Sequence, residues 1–124
     1  LEHFIINMTA KPGEAENVAK YYQLIGPQIE AAEGFLGRAV MQSVPGAMAA
    51  DVSKRITAEE RAKHPPHAHA HAAGVQFIIH EQWESKEARW AFSSNLKIDR
   101  RTELFPHILP EHTHEYYVDV TNPS

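Results

Sequence analysis

Two hydrophobic periods follow one another in the middle of the chain. Val75 to Trp83 carries β-branched and aromatic residues at strand density, and the stretch up to Leu96 then has the spacing of a short amphipathic helix. Ser85 stands where the pattern changes, and its hydroxyl suits an N-cap. Upstream, His3 to Thr9 reads as a strand ended by Lys11-Pro12-Gly13, and Glu14 to Ala32 as a helix. Its apolar stripe runs through Val18, Tyr21 or Tyr22, Ile25 and Ile29, and Gly26-Pro27 predicts a kink or break inside it. Gly34 suits the position just past the helix end, and Phe35 to Val44 reads as the second strand.

Residues 45 to 74 are of another character: Ala-rich, then charged, then rich in His and Pro. Thr57-Ala58-Glu59-Glu60 has capping-box spacing and predicts a short helix to about Lys63, which Pro65-Pro66 ends. Asp99 to Phe105 reads as one or two helical turns stopped by Pro106, and His112 to Thr121 as the last strand. The order is β-α-β, an excursion, then β-α-β. It predicts an α+β, ferredoxin-like split βαβ domain over residues 1–124, with a four-stranded antiparallel sheet and two main helices on one face. Ile78 points one way and Phe77 and Ile79 the other, so the second face also needs a cover, and a second copy of the chain supplies one economically.

Composition narrows the chemistry. A formal charge of −4 with no Lys/Arg run argues against nucleic acid or an anionic membrane as partner. The chain has no cysteine, so thiolate chemistry, disulfides and Cys-ligated metals do not arise. No apolar stretch approaches the roughly 20 residues that span a bilayer, and no signal-peptide pattern opens the sequence, so a cytoplasmic protein is expected. Nine histidines against twelve Lys plus Arg is the one compositional pointer to function.

Glu81-Gln82-Trp83-Glu84-Ser85-Lys86-Glu87-Ala88, following an apolar strand, resembles the E-x-W-x-S-x-E-A signature of the antibiotic biosynthesis monooxygenase family of dimeric α+β barrels. Lys11-Pro12-Gly13-Glu14 is similar to that family's first turn, and Leu104 to Pro110 to its closing segment. The resemblance implies a homodimer with a pocket between sheet and helices in each subunit. It also implies activities from cofactor-free oxygenation of quinol-like aromatics to heme degradation. Many members carry a His on the second helix where this chain has Phe92. Asn7 and Trp90 match two residues of the heme-degrading members, but no His follows at the right spacing, which disfavours that activity.

The polar candidates are Asn7, His80 and Glu81 as catalytic groups, with His112, His114 and Tyr116 sharing one face of the last strand. An imidazole that titrates near the working pH can take a phenolic proton, and an amide can hold the anion. Asn7 and His80 approach His112 or His114 if register and facing agree. Polar residues at strand ends or in a dimer seam account for the same positions. Trp83, Trp90, Phe77 and Phe92 either flank a flat aromatic ligand or fill the core. Glu81 shares a face with Phe77 and Ile79 and therefore needs a partner, Arg38 or a histidine.

His67, His69 and His71 fall on one side of an extended segment, and imidazole suits a transition metal, although a lid or solvated loop fits the same composition. The expected function is monooxygenation of a small aromatic or polyketide-like molecule without an organic cofactor. Binding of a small ligand or transition metal on the same fold is the alternative.

Overall fold

The computed structural model describes residues 1–63, 74–96 and 102–122. Strand β1 (Glu2–Ala10) leads into helix α1 (Ala15–Glu30), strand β2 (Phe35–Gln42), helices α2 (Ala47–Arg55) and α3 (Ala58–Lys63), and strand β3 (Val75–Trp83). Helix α4 (Lys86–Asn95), a 3₁₀ turn (Phe105–His107) and strand β4 (Ile108–Tyr117) complete the order. The sheet is antiparallel throughout, with strand order β2-β3-β1-β4. This is the ferredoxin-like α+β arrangement that the sequence predicts, with the first strand central between the third and fourth.

Alternation assigns the two faces. Ile6, Met8 and Ala10 of β1 and Phe77, Ile79 and Trp83 of β3 are buried beneath the helices. Val18, Tyr21, Tyr22, Ile25 and Ile29 of α1, with Phe92 and Leu96, close over them. Among the described residues little covers the opposite face: Ile78 is 41% and Met41 51% exposed.

Ser85 does cap α4, its hydroxyl accepting from the Ala88 amide at 3.1 Å. Thr57 caps α3 in the same way through the Glu60 amide. Gly34 has φ +83, and a Cβ there would lie 2.6 Å from that of Ala88, so the corner holds β3 and α4 close to the end of α1.

Two expectations are corrected, the break in α1 and the bounds of the last strand. Helix α1 is not broken at Gly26-Pro27 and runs to Glu30. Pro27 and Gln23, whose carbonyl loses its helical donor, both face water, so the missing bond is met by solvent. Residues 47–55, the Ala-rich start of the excursion, form α2, which buries no residue and follows the helix propensity of its alanines. The helical turns expected over Asp99 to Phe105 fall partly outside the described residues; Thr102 is helical, and Pro106 lies within the 3₁₀ turn that follows. The last strand begins at Ile108, not His112, and Val118 and Val120 lie beyond its end. Pro110 is accommodated because β4 is an edge strand whose register with β1 shifts between Met8 and Ala10.

Candidate active site

Between the covered sheet face, α1, α4 and residues 104–108 lies a cavity of about 330 Å³. Its walls are largely apolar: Phe4, Ile6 and Met8 from β1, Tyr21, Tyr22 and Ile25 from α1, Trp90, Phe92 and Leu96 along α4, and Leu104, Phe105 and Ile108. A few polar groups enter it, namely Glu81, Arg89, Ser93, His112 and His114. Sparse polar groups in an apolar concavity are the usual composition of a small-molecule site.

The polar groups form two sets. Glu81, 4% exposed, accepts from Arg89 Nε at 3.0 Å and from the Trp83 indole at 2.8 Å, both on Oε1. A buried carboxylate needs such partners, and the cation lies 4.3 Å above the centre of the Phe4 ring. Arg38 stands opposite Glu81 across the β2–β3 ladder, but its Nη2 reaches up to the Tyr22 carbonyl at 3.1 Å. Arg89 is therefore the partner that neither Arg38 nor a histidine supplies.

The second set is on β4. His112 and His114 stand with ring centroids 5.0 Å apart, at 68°. His114 also meets Phe4 edge-on. Desolvation holds the His114 imidazole below its ordinary value; His112 and the Arg89 cation push the same way, and Glu81 opposes them. At neutral pH this ring is a free base facing the cavity. Tyr22 donates to the Met8 sulfur at 3.8 Å, and burial, with Tyr21 and Glu81, drives its phenol far above the ordinary value, so it remains a neutral donor.

Strand register separates the residues expected to converge. His112, His114 and Tyr116 pair with Met8, Ile6 and Phe4, all on the helix side. Asn7 and His80 have the opposite parity: His80 pairs with Ile5, and Asn7 with Ile78 and Thr113. They occupy the uncovered face, where His80 Nε2 lies 2.9 Å from His3 Nδ1. Side chains of period two cannot cross the sheet, so Asn7 and His80 do not line the cavity of His112 and His114, although Asn7 and His112 both border a separate open concavity along β1 and β4.

The aromatics also divide. Trp83 is fully buried between Phe35 and Phe92 and lines no part of the cavity. Phe77, 1% exposed, is core beside Met8 on the neighbouring strand and likewise lies outside it. Phe92 forms a wall, and Trp90 stands 60% exposed at the rim. Tyr116 packs edge-on to Phe4 beside the cavity, under the Lys86 ammonium.

Arg89, Tyr22 and Phe4 were missed by sequence reasoning. Arg89 had a signal, since it falls on the α4 face of Ala88 and Phe92 and so turns a cation inward. His67, His69 and His71 lie outside the described residues, and among those described no group of three or more His, Asp or Glu side chains is placed to hold a metal. No described helix is long and apolar enough to cross a membrane.

No protein-family model matches the sequence, and neither does any curated protein. Solved structures do match the fold. A protein of Nitrosomonas europaea provisionally named an antibiotic biosynthesis monooxygenase aligns over 99% of this chain and 93% of its own, with TM-score 0.65 and 11% identity. One of the same name from Bordetella bronchiseptica covers 96% of each chain, with TM-score 0.62 and 12% identity. SnoaB, a cofactor-independent oxygenase from Streptomyces nogalater, covers 95% of this chain and 91% of its own, with TM-score 0.60 and 8% identity. The chain thus shares the ferredoxin-like α+β fold of these solved structures, two of them named as antibiotic biosynthesis monooxygenases.

Proposed function

We propose that the chain is a member of the antibiotic biosynthesis monooxygenase family, a single-domain cytoplasmic homodimer that oxygenates a small aromatic, quinol-type molecule without an organic cofactor. One observation carries this reading: an aromatic-walled cavity of about 330 Å³ into which two imidazoles project beside a buried Arg–Glu pair. The size and flat walls suit a planar ligand, and SnoaB, of like fold, is a cofactor-independent oxygenase.

The chemistry follows from what the walls offer. An electron-rich phenol reacts with oxygen far more readily as its anion, so the protein's first task is to remove a proton. His112 or His114 is placed to accept it, and the Arg89 cation favours the phenolate that forms. Phe4, Phe92 and the rim residue Trp90 hold the ring and exclude water. Glu81 acts through Arg89, orienting it and balancing its charge. Asn7 and His80 have no part in this scheme. With Ile78 and Met41 they belong to the uncovered sheet face, which a second copy would bury.

Oxygen uptake by the purified protein, screened over quinols and hydroxylated polycyclic aromatics, tests the proposal. Uptake that depends on protein and substrate, and that bulky substitution of Ser93 in the cavity wall abolishes, is the expected result. If no member of the panel binds, the cavity is not an aromatic site and the reading falls.

A further inference from the structure

We infer that His112, through Nε2, is the base that takes the phenolic proton, and that the carbonyl of Pro110 sets it in that role. This rests on the reading of the cavity as a phenol site. His112 Nδ1 lies 2.9 Å from the Pro110 carbonyl oxygen. A carbonyl can only accept, so Nδ1 must carry the hydrogen. A neutral imidazole has one N–H, so Nε2 keeps its lone pair. This is the reverse of the tautomer that free histidine prefers in water. Among the described residues no hydrogen bond fixes either nitrogen of His114, which leaves its tautomer unset.

The backbone explains why the carbonyl is available. Between Met8 and Ala10 the β1–β4 register slips, Met8 pairing with His112 and Ala10 with Ile108. Pro110 lies in the slipped stretch. Its carbonyl turns to the side chain two residues on, which belongs to the residue that resumes the ladder. The irregularity thus orients a cavity-lining ring, a common use of such features in sheets.

The step itself balances. The phenol O–H bond breaks, its proton forms an N–H bond at Nε2, and the electron pair stays on oxygen as the phenolate. The Nδ1–H bond to Pro110 is retained and becomes charge-assisted in the imidazolium, so the product state is favoured without movement of the ring. His114, kept neutral beside it, adds no second positive charge.

The test uses 4-nitrophenol, whose anion is coloured, buffered below its own pKa with protein in excess. Wild type is expected to bind it and show the phenolate band. His112→Gln, at an exposed position tolerant of the change, is expected to bind it with the band reduced by at least about tenfold, one pKa unit in the bound phenol. A band retained in His112→Gln but lost in His114→Gln overturns the assignment and leaves the cavity reading intact. Failure of wild type to bind the phenol at all overturns both. Nitrogen-15 NMR of the wild-type rings gives a check that needs no variant: a protonated Nδ1 and bare Nε2 are expected for His112, and an Nε2–H tautomer overturns the proposal.

Discussion

Glu81 and Arg89 meet inside the protein, Nε to Oε1 at 3.0 Å, with side chains 5% and 15% exposed. The pair joins the central sheet to α4 and forms the charged part of the cavity wall. Removing one member leaves the other buried and uncompensated, which costs about 3–5 kcal/mol for buried pairs. Arg89→Ala and Glu81→Ala are each expected to destabilise the fold in urea titrations by about that amount. The double change Glu81→Met with Arg89→Met is expected to cost less than either. Equal and additive losses would show that the two side chains do not act as a pair.

The corner at Gly34 gives a second prediction. Its φ of +83 disfavours any side chain, and a Cβ there would also meet Ala88 at 2.6 Å. Gly13 has a similar φ of +79 but open space around it. Gly13→Ala is expected to cost about 1–2 kcal/mol from the backbone alone, and Gly34→Ala distinctly more. Adding Ala88→Gly to Gly34→Ala is expected to return the cost to the Gly13 level in thermal or urea unfolding. No rescue would mean that the clash is not the cause.

His114 links stability to pH with a definite sign. Its folded value is lower than its unfolded one, so the unfolded chain binds more protons between the two. Its contribution is present above the unfolded value, near 6.5, and fades as the pH falls through the folded value. Stability is expected to decline on acidification from pH 7 towards pH 5, as about one proton is taken up on unfolding. His114→Asn is expected to flatten that part of the profile. An unchanged slope in the variant would assign the decline to other groups.

The two tryptophans are expected to report differently on ligand. Trp90 is 60% exposed at the cavity rim, and Trp83 is fully enclosed. Aromatic ligands are expected to quench Trp90 fluorescence, with a response that Trp90→Phe removes and with affinity lowered by about 1 kcal/mol or more through the lost ring contact. Iodide is expected to quench Trp90 alone. A ligand response that survives in Trp90→Phe would place binding elsewhere.

The uncovered sheet face carries a test of the dimer. Ile78→Asp places a charge at its centre without touching the cavity, since Ile78 has the opposite parity to Phe77 and Ile79. Light scattering is expected to give a dimeric mass for wild type and a monomeric one for the variant. A monomeric wild type would remove the second copy from the account.

Much of the fold was legible because local signals agreed with the tertiary need. Ser85 marks a strand-to-helix corner by chemistry and by change of period, and the β-α-β order fixes which strand is central. The errors lie where a local rule met a tolerant setting. Pro27 would break a buried helix, but near a solvent-facing end it removes only a bond that water replaces. Pro110 would end a central strand and is harmless on the edge.

The site was less legible. Grouping Asn7 and His80 with the β4 histidines required knowing register, and a slip of one residue moves every side chain to the other face. Glu81 announced its need for a partner, yet whether Arg38 or Arg89 supplies it depends on where each guanidinium reaches in space.

The most direct test of the account is oxygen uptake, with a quinol found active in the screen, by two variants side by side. One lacks both cavity imidazoles, His112→Gln with His114→Gln; the other is His80→Ala on the far face. The account predicts a loss of at least about a hundredfold in the first, the scale of a general base, and wild-type rates in the second. Loss in His80→Ala with activity retained in the double variant would contradict it and move the chemistry to the opposite side of the sheet.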